Sequence, residues 1–363
     1  MAIYQFYIGG YTNILNQNSS YTNAPTQNGI ALLEFDSCSG KAKILKTFFT
    51  YDNPSFLTLS GNNLYSVNEL LQSGMISVYS VNSQNGDLQI KDSLQVSGMH
   101  TCHISTDSKN RFIYAACYSS GTIFGCKLKP DGSFGVLCTY LQFAGNSTNT
   151  VRQEGPHAHS VNISKDEKHL IVADLGTDRL MNYCINPITG ELSPNSVQPF
   201  VSVRAGEGPR HMCYHPYNDI LYVVTELYGN LLTYSINPDM FYLQQISSAS
   251  LFMKQPFVAD ASAADIHITA DGSFLFASIR GNNTLSSFSL ADPRHPNLIE
   301  VYSTAGNCPR NFCITKDDQF LLVANQNSNY ISIFECNPKN GTLSQEVSRV
   351  PFKQVSCIIQ RCF

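Results

Sequence analysis

In the stretch GEGPRHMCYHPYNDILYVVTEL, residues 206 to 227, two short apolar runs flank a Pro/Asn/Asp turn. Arg210 opens the first run and Glu226 closes the second, each eight residues from Asn218. An antiparallel hairpin folded at that turn brings the two side chains to the same end. Such a pair has two readings. As a plain surface ion pair it contributes only about 0–1 kcal/mol, a weak reason for its presence. As half of an active site it offers a guanidinium fork matched to carboxylate or phosphate, beside a carboxylate able to move protons. His157 and His159 in GPHAHS and Arg280 in SIRGNN are further groups of the same chemical kind.

What positions these residues is a repeat. HISTDSKNRFIYAACYSSGTIFGCKL, VNISKDEKHLIVADLGTDRLMNYCI, MCYHPYNDILYVVTELYGNLLTYSI, IHITADGSFLFASIRGNNTLSSFSL and FCITKDDQFLLVANQNSNYISIFEC share one order of elements. Each has a short apolar strand, a polar turn, an apolar strand, a Gly/Asn turn and an alternating strand. FLTLSGNNLYSVNELLQSGMISVYSV follows the same order with a shorter turn. Second strands starting at Leu64, Ile113, Leu170, Leu221, Leu275 and Leu321 lie roughly 46–57 residues apart, near propeller repeat periods. With no amphipathic helix between the units, the pattern predicts an all-β fold of four-stranded antiparallel blades. The C-terminal VSCIIQRC reads as an innermost strand lacking a successor, and YQFYIGGYT as a second strand lacking a predecessor. Pairing them adds a composite blade, giving one seven-bladed β-propeller over residues 1–363 and removing the open sheet edges.

In such a fold the start of each first strand and the end of each second strand share one mouth of the central channel. Counting outward from the turns pairs Ser55 with Glu69, His100 with Tyr118, His159 with Leu175, Ala264 with Arg280 and Arg310 with Gln326. One mouth therefore collects Glu69, His100, His159, Arg210, Glu226, Arg280, Arg310 and Gln326. Three arginines with two histidines favour a small anionic ligand. Arg152 and Arg310 are secondary candidates for holding its anionic tail, and His157, two residues ahead of His159, is a further substrate-binding candidate. His103 and His267 share a mid-strand register with Cys213 and Cys313 and are expected to serve packing.

Charged residues make up 14% of the 363-residue chain and the net charge is −4, with no basic run to track nucleic-acid phosphates. No apolar run approaches the ~18–20 residues of a membrane span. The opening MAIYQFYIGGYTN has no positive segment followed by an apolar stretch, which predicts a cytoplasmic protein. The twelve cysteines form no C-x-x-C pair, and several sit inside apolar strands, so they are expected to be reduced. No zinc-type Cys/His spacing, haem-attachment motif or tight carboxylate cluster is present, and neither metal nor cofactor is expected. A non-catalytic protein-binding propeller remains a competing reading. The absence of Trp, hence of any Trp-Asp repeat signature, and the polar convergence at one mouth weigh against it.

RQEGPHAHSVNISKDEKHLIVADLGTDRL, GEGPRHMCYHPYNDILYVVTEL, ADIHITADGSFLFASIRGNNTL and NCPRNFCITKDDQFLLVANQNS together resemble the seven-bladed propeller lactonase family, over nearly the whole chain. That family includes propeller-type 6-phosphogluconolactonases and fungal 3-carboxy-cis,cis-muconate lactonising enzymes. The resemblance implies hydrolysis of an anionic sugar lactone or, alternatively, carboxymuconate cyclisation. It places the family's His, Glu and two Arg on His159, Glu226, Arg210 and Arg280. The sequence departs from the family pattern in the Asn-rich segment TNILNQNSSYTNAPTQNG and at Cys117 and Tyr118, which are expected to reshape the rim together with residues 145–150.

Overall fold

The computed structural model describes residues 2–12, 27–253 and 261–361. Seven antiparallel sheets surround a central channel. The innermost strands Thr101–Thr106, Ala158–Ile163, Pro209–Tyr214, Ser262–Ile268, Pro309–Ile314, Val355–Arg361 and Leu57–Ser60 touch their neighbours in that order and close the ring. The composite blade is present: Val355–Arg361 pairs with Ile3–Gly10, which pairs with Gln27–Asp36 and then Lys41–Thr50. Most of the Asn-rich segment flagged in the sequence lies outside the described residues.

Burial follows from the layering. Second strands such as Phe112–Cys117, Ile220–Thr225 and Phe320–Asn325 are buried on both faces and read as continuous apolar runs. The outer strand Lys41–Thr50, with one face in water, alternates. Between adjacent blades sits one apolar cluster each. Phe112, Tyr114 and Ala116 meet Val161, Leu170 and Val172 across one interface, and Tyr222, Val224 and Leu231 meet Ala263, Leu275 and Ala277 across another. Second-strand tyrosines reach across these seams without leaving a buried hydroxyl unpaired. Tyr7 donates to the Gly86 carbonyl at 2.9 Å, Tyr65 to Gly132 at 2.8 Å, Tyr114 to Gly190 at 2.7 Å and Tyr222 to Pro293 at 2.6 Å.

The hairpin ladders differ from simple counting in one systematic way. In six blades the innermost strand carries one extra residue near its start. The extra residues fall at Cys102, His159, Arg210–His211, Ala264–Asp265, Arg310 and Ser356. Arg280 consequently pairs with Ser262 instead of Ala264, and Pro309 with Asn325, so Gln326 falls just beyond the ladder. A bulge breaks the two-residue alternation and re-aims side chains. Here the re-aimed side chains belong to the channel.

Candidate active site at the channel mouth

The start of the strand carrying Arg210 is built by GEGP. Gly206 and Gly208 adopt φ of 90° and 63°, a region in which a side chain is strained. Their N–H groups each donate to the Asp178 carboxylate at 2.7 Å. The Gly208 carbonyl accepts the Glu226 N–H at 2.7 Å, which fixes the end of the second strand against the start of the first. Asp178 also accepts from Ser147 Oγ, and Gln153 donates to the Leu175 carbonyl at 2.9 Å. The loop bearing Arg152 and the strand bearing Arg210 are thus tied to one carboxylate.

Glu226 is the centre of the site. Its Oε2 lies 2.8 Å from Arg210 Nε, 3.0 Å from Arg280 Nη2 and 3.9 Å from His159 Nε2. Its Oε1 accepts from Arg152 Nη2 at 2.5 Å. Arg210 and Glu226 are both only 2% exposed. Burial works to raise the Glu226 pKa, but Arg280, Arg210 and Arg152 outweigh it and hold the carboxyl well below the usual range. Arg210 is pushed down to about 10 by burial and by Arg280. Burial also opposes the Arg152 charge, yet Glu226 and Tyr118 keep its pKa above the ordinary value. Arg152 Nη2 also donates to Tyr118 Oη at 3.2 Å.

A second carboxylate organises the opposite side. Glu69 Oε2 accepts from Tyr11 Oη at 2.5 Å and from Ser55 Oγ at 2.8 Å, with Arg310 Nη2 at 3.8 Å. The Arg310 guanidinium also lies 5.4 Å from the centre of the Tyr11 ring. Four guanidinium groups therefore converge on two carboxylates, an excess of positive charge at one mouth. Among the described residues no set of three His, Cys, Asp or Glu side chains is placed to hold a metal ion.

His159 faces this cluster as a neutral base. Burial, then Arg210, His211, Arg310 and Arg280, push its pKa well below the ordinary histidine value, and its buried Nδ1 has no hydrogen-bond partner among the described residues. Of the remaining sequence candidates, His157 is set back from the cluster. It stacks on Tyr118 with ring centres 4.5 Å apart, and its Nε2 is 3.2 Å from Glu154. His100 turns its Nδ1 to Ser119 Oγ at 2.6 Å, and Gln326 turns its amide to Gln354 at 3.3 Å, so neither joins the ion cluster. The ring of eight expected at one register is in fact two ion clusters plus two side chains bonded elsewhere.

Counting by twos missed residues that the bulges deliver. Beneath the mouth, Ser55, Phe56, Cys102, His159, Arg210, His211, Arg310, Asn311 and Ser356 line a void of about 10 Å³. His211 and Asp265, adjacent in sequence to Arg210 and Ala264, are buried in the channel; strict alternation would have turned one of each pair away. His267 packs edge-to-face on Phe312 at 4.8 Å, as expected, and adds an ion-pair contact: its Nε2 lies 2.9 Å from Asp265, with the side chain 42% exposed. His103 fits the packing expectation: its ring packs tilted on Phe56 with centres 4.4 Å apart, and its Nδ1 accepts the Val161 N–H at 3.4 Å.

Seven blades with this arrangement of arginine, glutamate and histidine at one mouth define a class, and the sequence comparison agrees. The profile of the lactonase family of seven-bladed β-propellers matches residues 5–360, and the chain belongs to that family. A 6-phosphogluconolactonase of Formosa agariphila is 31% identical over 334 residues, covering 90% of this chain and 93% of the relative. The 6-phosphogluconolactonase of Bacillus subtilis is 27% identical over 350 residues, covering 96% and 98%. The solved structure of a periplasmic gluconolactonase from Pseudomonas aeruginosa superposes with a TM-score of 0.88 at 26% identity, covering 99% of each chain.

Proposed function

We propose that this protein is a lactone hydrolase acting on a small anionic sugar lactone, with 6-phosphogluconolactone as the substrate, at the Glu226 mouth. The reading is supported by membership of the lactonase family and by the names of the two relatives. The observation that carries it to this mouth is the convergence of Arg152, Arg210 and Arg280 on one buried carboxylate beside a neutral histidine.

Hydrolysis needs an attacking water, stabilisation of the carbonyl oxyanion and a proton for the departing ring oxygen. Glu226 is held ionised by three cations, so it orders the guanidinium groups and does not serve as an acid at neutral pH. Arg210 and Arg280 stabilise the oxyanion, being pre-positioned in a site shielded from water. Arg152 and Arg310 hold the anionic tail of the substrate, since guanidinium forks match phosphate oxygens. His159, uncharged and with a free Nδ1, handles the proton of the ring oxygen. Glu69, Tyr11 and Ser55 orient Arg310. His157 and Tyr118 back the Arg152 side of the pocket.

The test is the rate of 6-phosphogluconolactone opening with the spontaneous rate subtracted, run beside cyclisation of 3-carboxy-cis,cis-muconate on the same preparation. Enzymatic lactone opening supports the assignment; cyclisation alone replaces it. All eleven described cysteines are free thiols, which suits a reducing compartment, and we assign the protein to the cytoplasm. Detection of the native protein in an extracellular or periplasmic fraction would revise that assignment.

A further inference from the structure

Below the Glu226 cluster lies a second set of ionisable groups with no part in the steps above. His211 Nδ1 is 2.7 Å from Asp265 Oδ1, and both residues are buried. Asp265 also takes His267 Nε2 at 2.9 Å, Asn311 Nδ2 at 2.5 Å and the Phe312 N–H at 3.3 Å. Four donors around one carboxylate keep it ionised, and its pKa lies well below the ordinary value although burial works the other way. An ionised carboxylate only accepts, so His211 carries its proton on Nδ1 and presents Nε2 as a lone pair. His211 and His159 both line the void of about 10 Å³, with ring centres 5.3 Å apart. A void of roughly that size holds one water molecule when polar groups surround it. Here the polar lining includes Ser55, Arg210, Arg310 and Asn311.

We propose that this void seats the hydrolytic water and that His211, oriented by Asp265, is the base that activates it. The inference rests on the lactone-hydrolase reading of the mouth above. Substrate then enters from the mouth while the nucleophile attacks from the channel side. His211 Nε2 takes a proton from the water as the water oxygen bonds to the lactone carbonyl carbon, and the carbonyl electrons move onto the oxygen held by arginine. As the tetrahedral intermediate collapses, the ring C–O bond breaks. The departing oxygen takes a proton from His159 Nε2, while His159 Nδ1 receives the proton of His211 Nε2 relayed by the next water to enter the void. One water is consumed, and one hydroxyl and one carboxylic acid form; the acid proton is lost to solvent. Asp265 touches no reacting atom in this scheme and is a positioning residue. The tautomer it imposes on His211 decides whether a lone pair or an N–H faces the water.

The experiment is steady-state kinetics of Asp265→Asn and His211→Gln on 6-phosphogluconolactone, with histidine ¹⁵N NMR of the wild type and of Asp265→Asn. Wild-type turnover above the spontaneous rate tests the hydrolase reading by itself; the ratio of variant to wild type tests the dyad. We expect kcat to fall about 100-fold or more in each variant, the usual scale for removing a positioned base. KM should stay within about twofold, since the dyad acts on the water and not on the anionic tail. The wild-type spectrum should show His211 protonated on Nδ1, and Asp265→Asn should lose that signature. His211→Gln covers the case in which Asp265→Asn does not fold, and the wild-type spectrum needs no variant. A folded His211→Gln with kcat within about threefold of wild type overturns the proposal. So does a rise in KM at unchanged kcat, or a wild-type His211 protonated on Nε2.

Discussion

Arg210 Nε lies 2.8 Å from Glu226 Oε2 with both residues 2% exposed, and the same oxygen is 3.0 Å from Arg280. The partners are therefore not interchangeable surface charges. Removing the carboxylate strands a buried guanidinium, which typically costs about 3–5 kcal/mol. A carboxylate acting only in the chemistry would, as Glu226→Gln, abolish turnover and spare stability. The burial of Arg210 changes the second half. Glu226→Gln should lower the thermal midpoint by several degrees as well as abolishing turnover, and inorganic phosphate should restore part of the loss by replacing the missing negative charge. Calorimetry with and without phosphate checks this; an unchanged midpoint would contradict the buried-pair argument.

Arg152 is the exposed member of the cluster, with a 40% exposed side chain on a loop outside the sheets. Its loss should cost little stability, as exposed pairs contribute about 0–1 kcal/mol. If it holds the substrate's anionic group, Arg152→Ala should raise KM about tenfold or more, corresponding to one lost charge-assisted hydrogen bond. Michaelis kinetics and a melting curve on the same variant separate the two effects. A lowered kcat at constant KM would move Arg152 from binding to chemistry.

Acid should destabilise the fold before the carboxylates titrate. His211 is pushed down to about 4 by burial and Arg210, and His103 and His159 also lie well below the ordinary value of 6.5. The unfolded chain takes up these protons near 6.5 while the folded chain refuses them, so stability falls as pH drops from about 6.5 toward 4. Glu226, whose folded pKa is depressed, adds a further loss only as pH falls through the unfolded carboxylate range near about 4.3 and below. Urea titrations at stepped pH should show the slope starting above pH 5, and His211→Gln should flatten it. A profile flat down to pH 5 would refute the assignment of these histidines as buried and neutral.

Gly208→Ala probes the scaffold beneath the pair. At φ of 63° an added Cβ would also meet Leu227 and Leu175 side-chain carbons at 3.0 and 3.1 Å. A loss of about 1–3 kcal/mol is expected from strain of this kind. Because Gly208 accepts the Glu226 N–H, kcat should fall with it. A variant of unchanged stability and activity would show that the loop absorbs the substitution.

The blade count, the composite closure and the common mouth were legible because each blade repeats one order of strands with continuous apolar second strands. His159, Arg210, Glu226 and Arg280 were legible because each interrupts an apolar pattern at its end. The extra residue in six of the innermost strands was not, since a bulge leaves composition and period almost untouched while shifting every residue beyond it by one. That shift brought His211 and Asp265 into the channel and took Gln326 out of the register. The role of Asp178 was equally hidden: its partners Ser147, Gly206 and Gly208 are distant in sequence and identified only by backbone path.

Ser356 and Ser55 face the same void as His211, and Ser356 Oγ donates to the Ser55 carbonyl at 2.9 Å across 301 residues of separation. The floor beneath the reacting groups is thus complete only when Val355–Arg361 has docked beside Ile3–Gly10. A nascent chain that has formed six blades already owns every arginine of the mouth, yet lacks part of the wall that confines the water. Turnover in this molecule is accordingly a readout of ring closure, and deletion of Val355–Arg361 should silence the enzyme before it dissolves the blades.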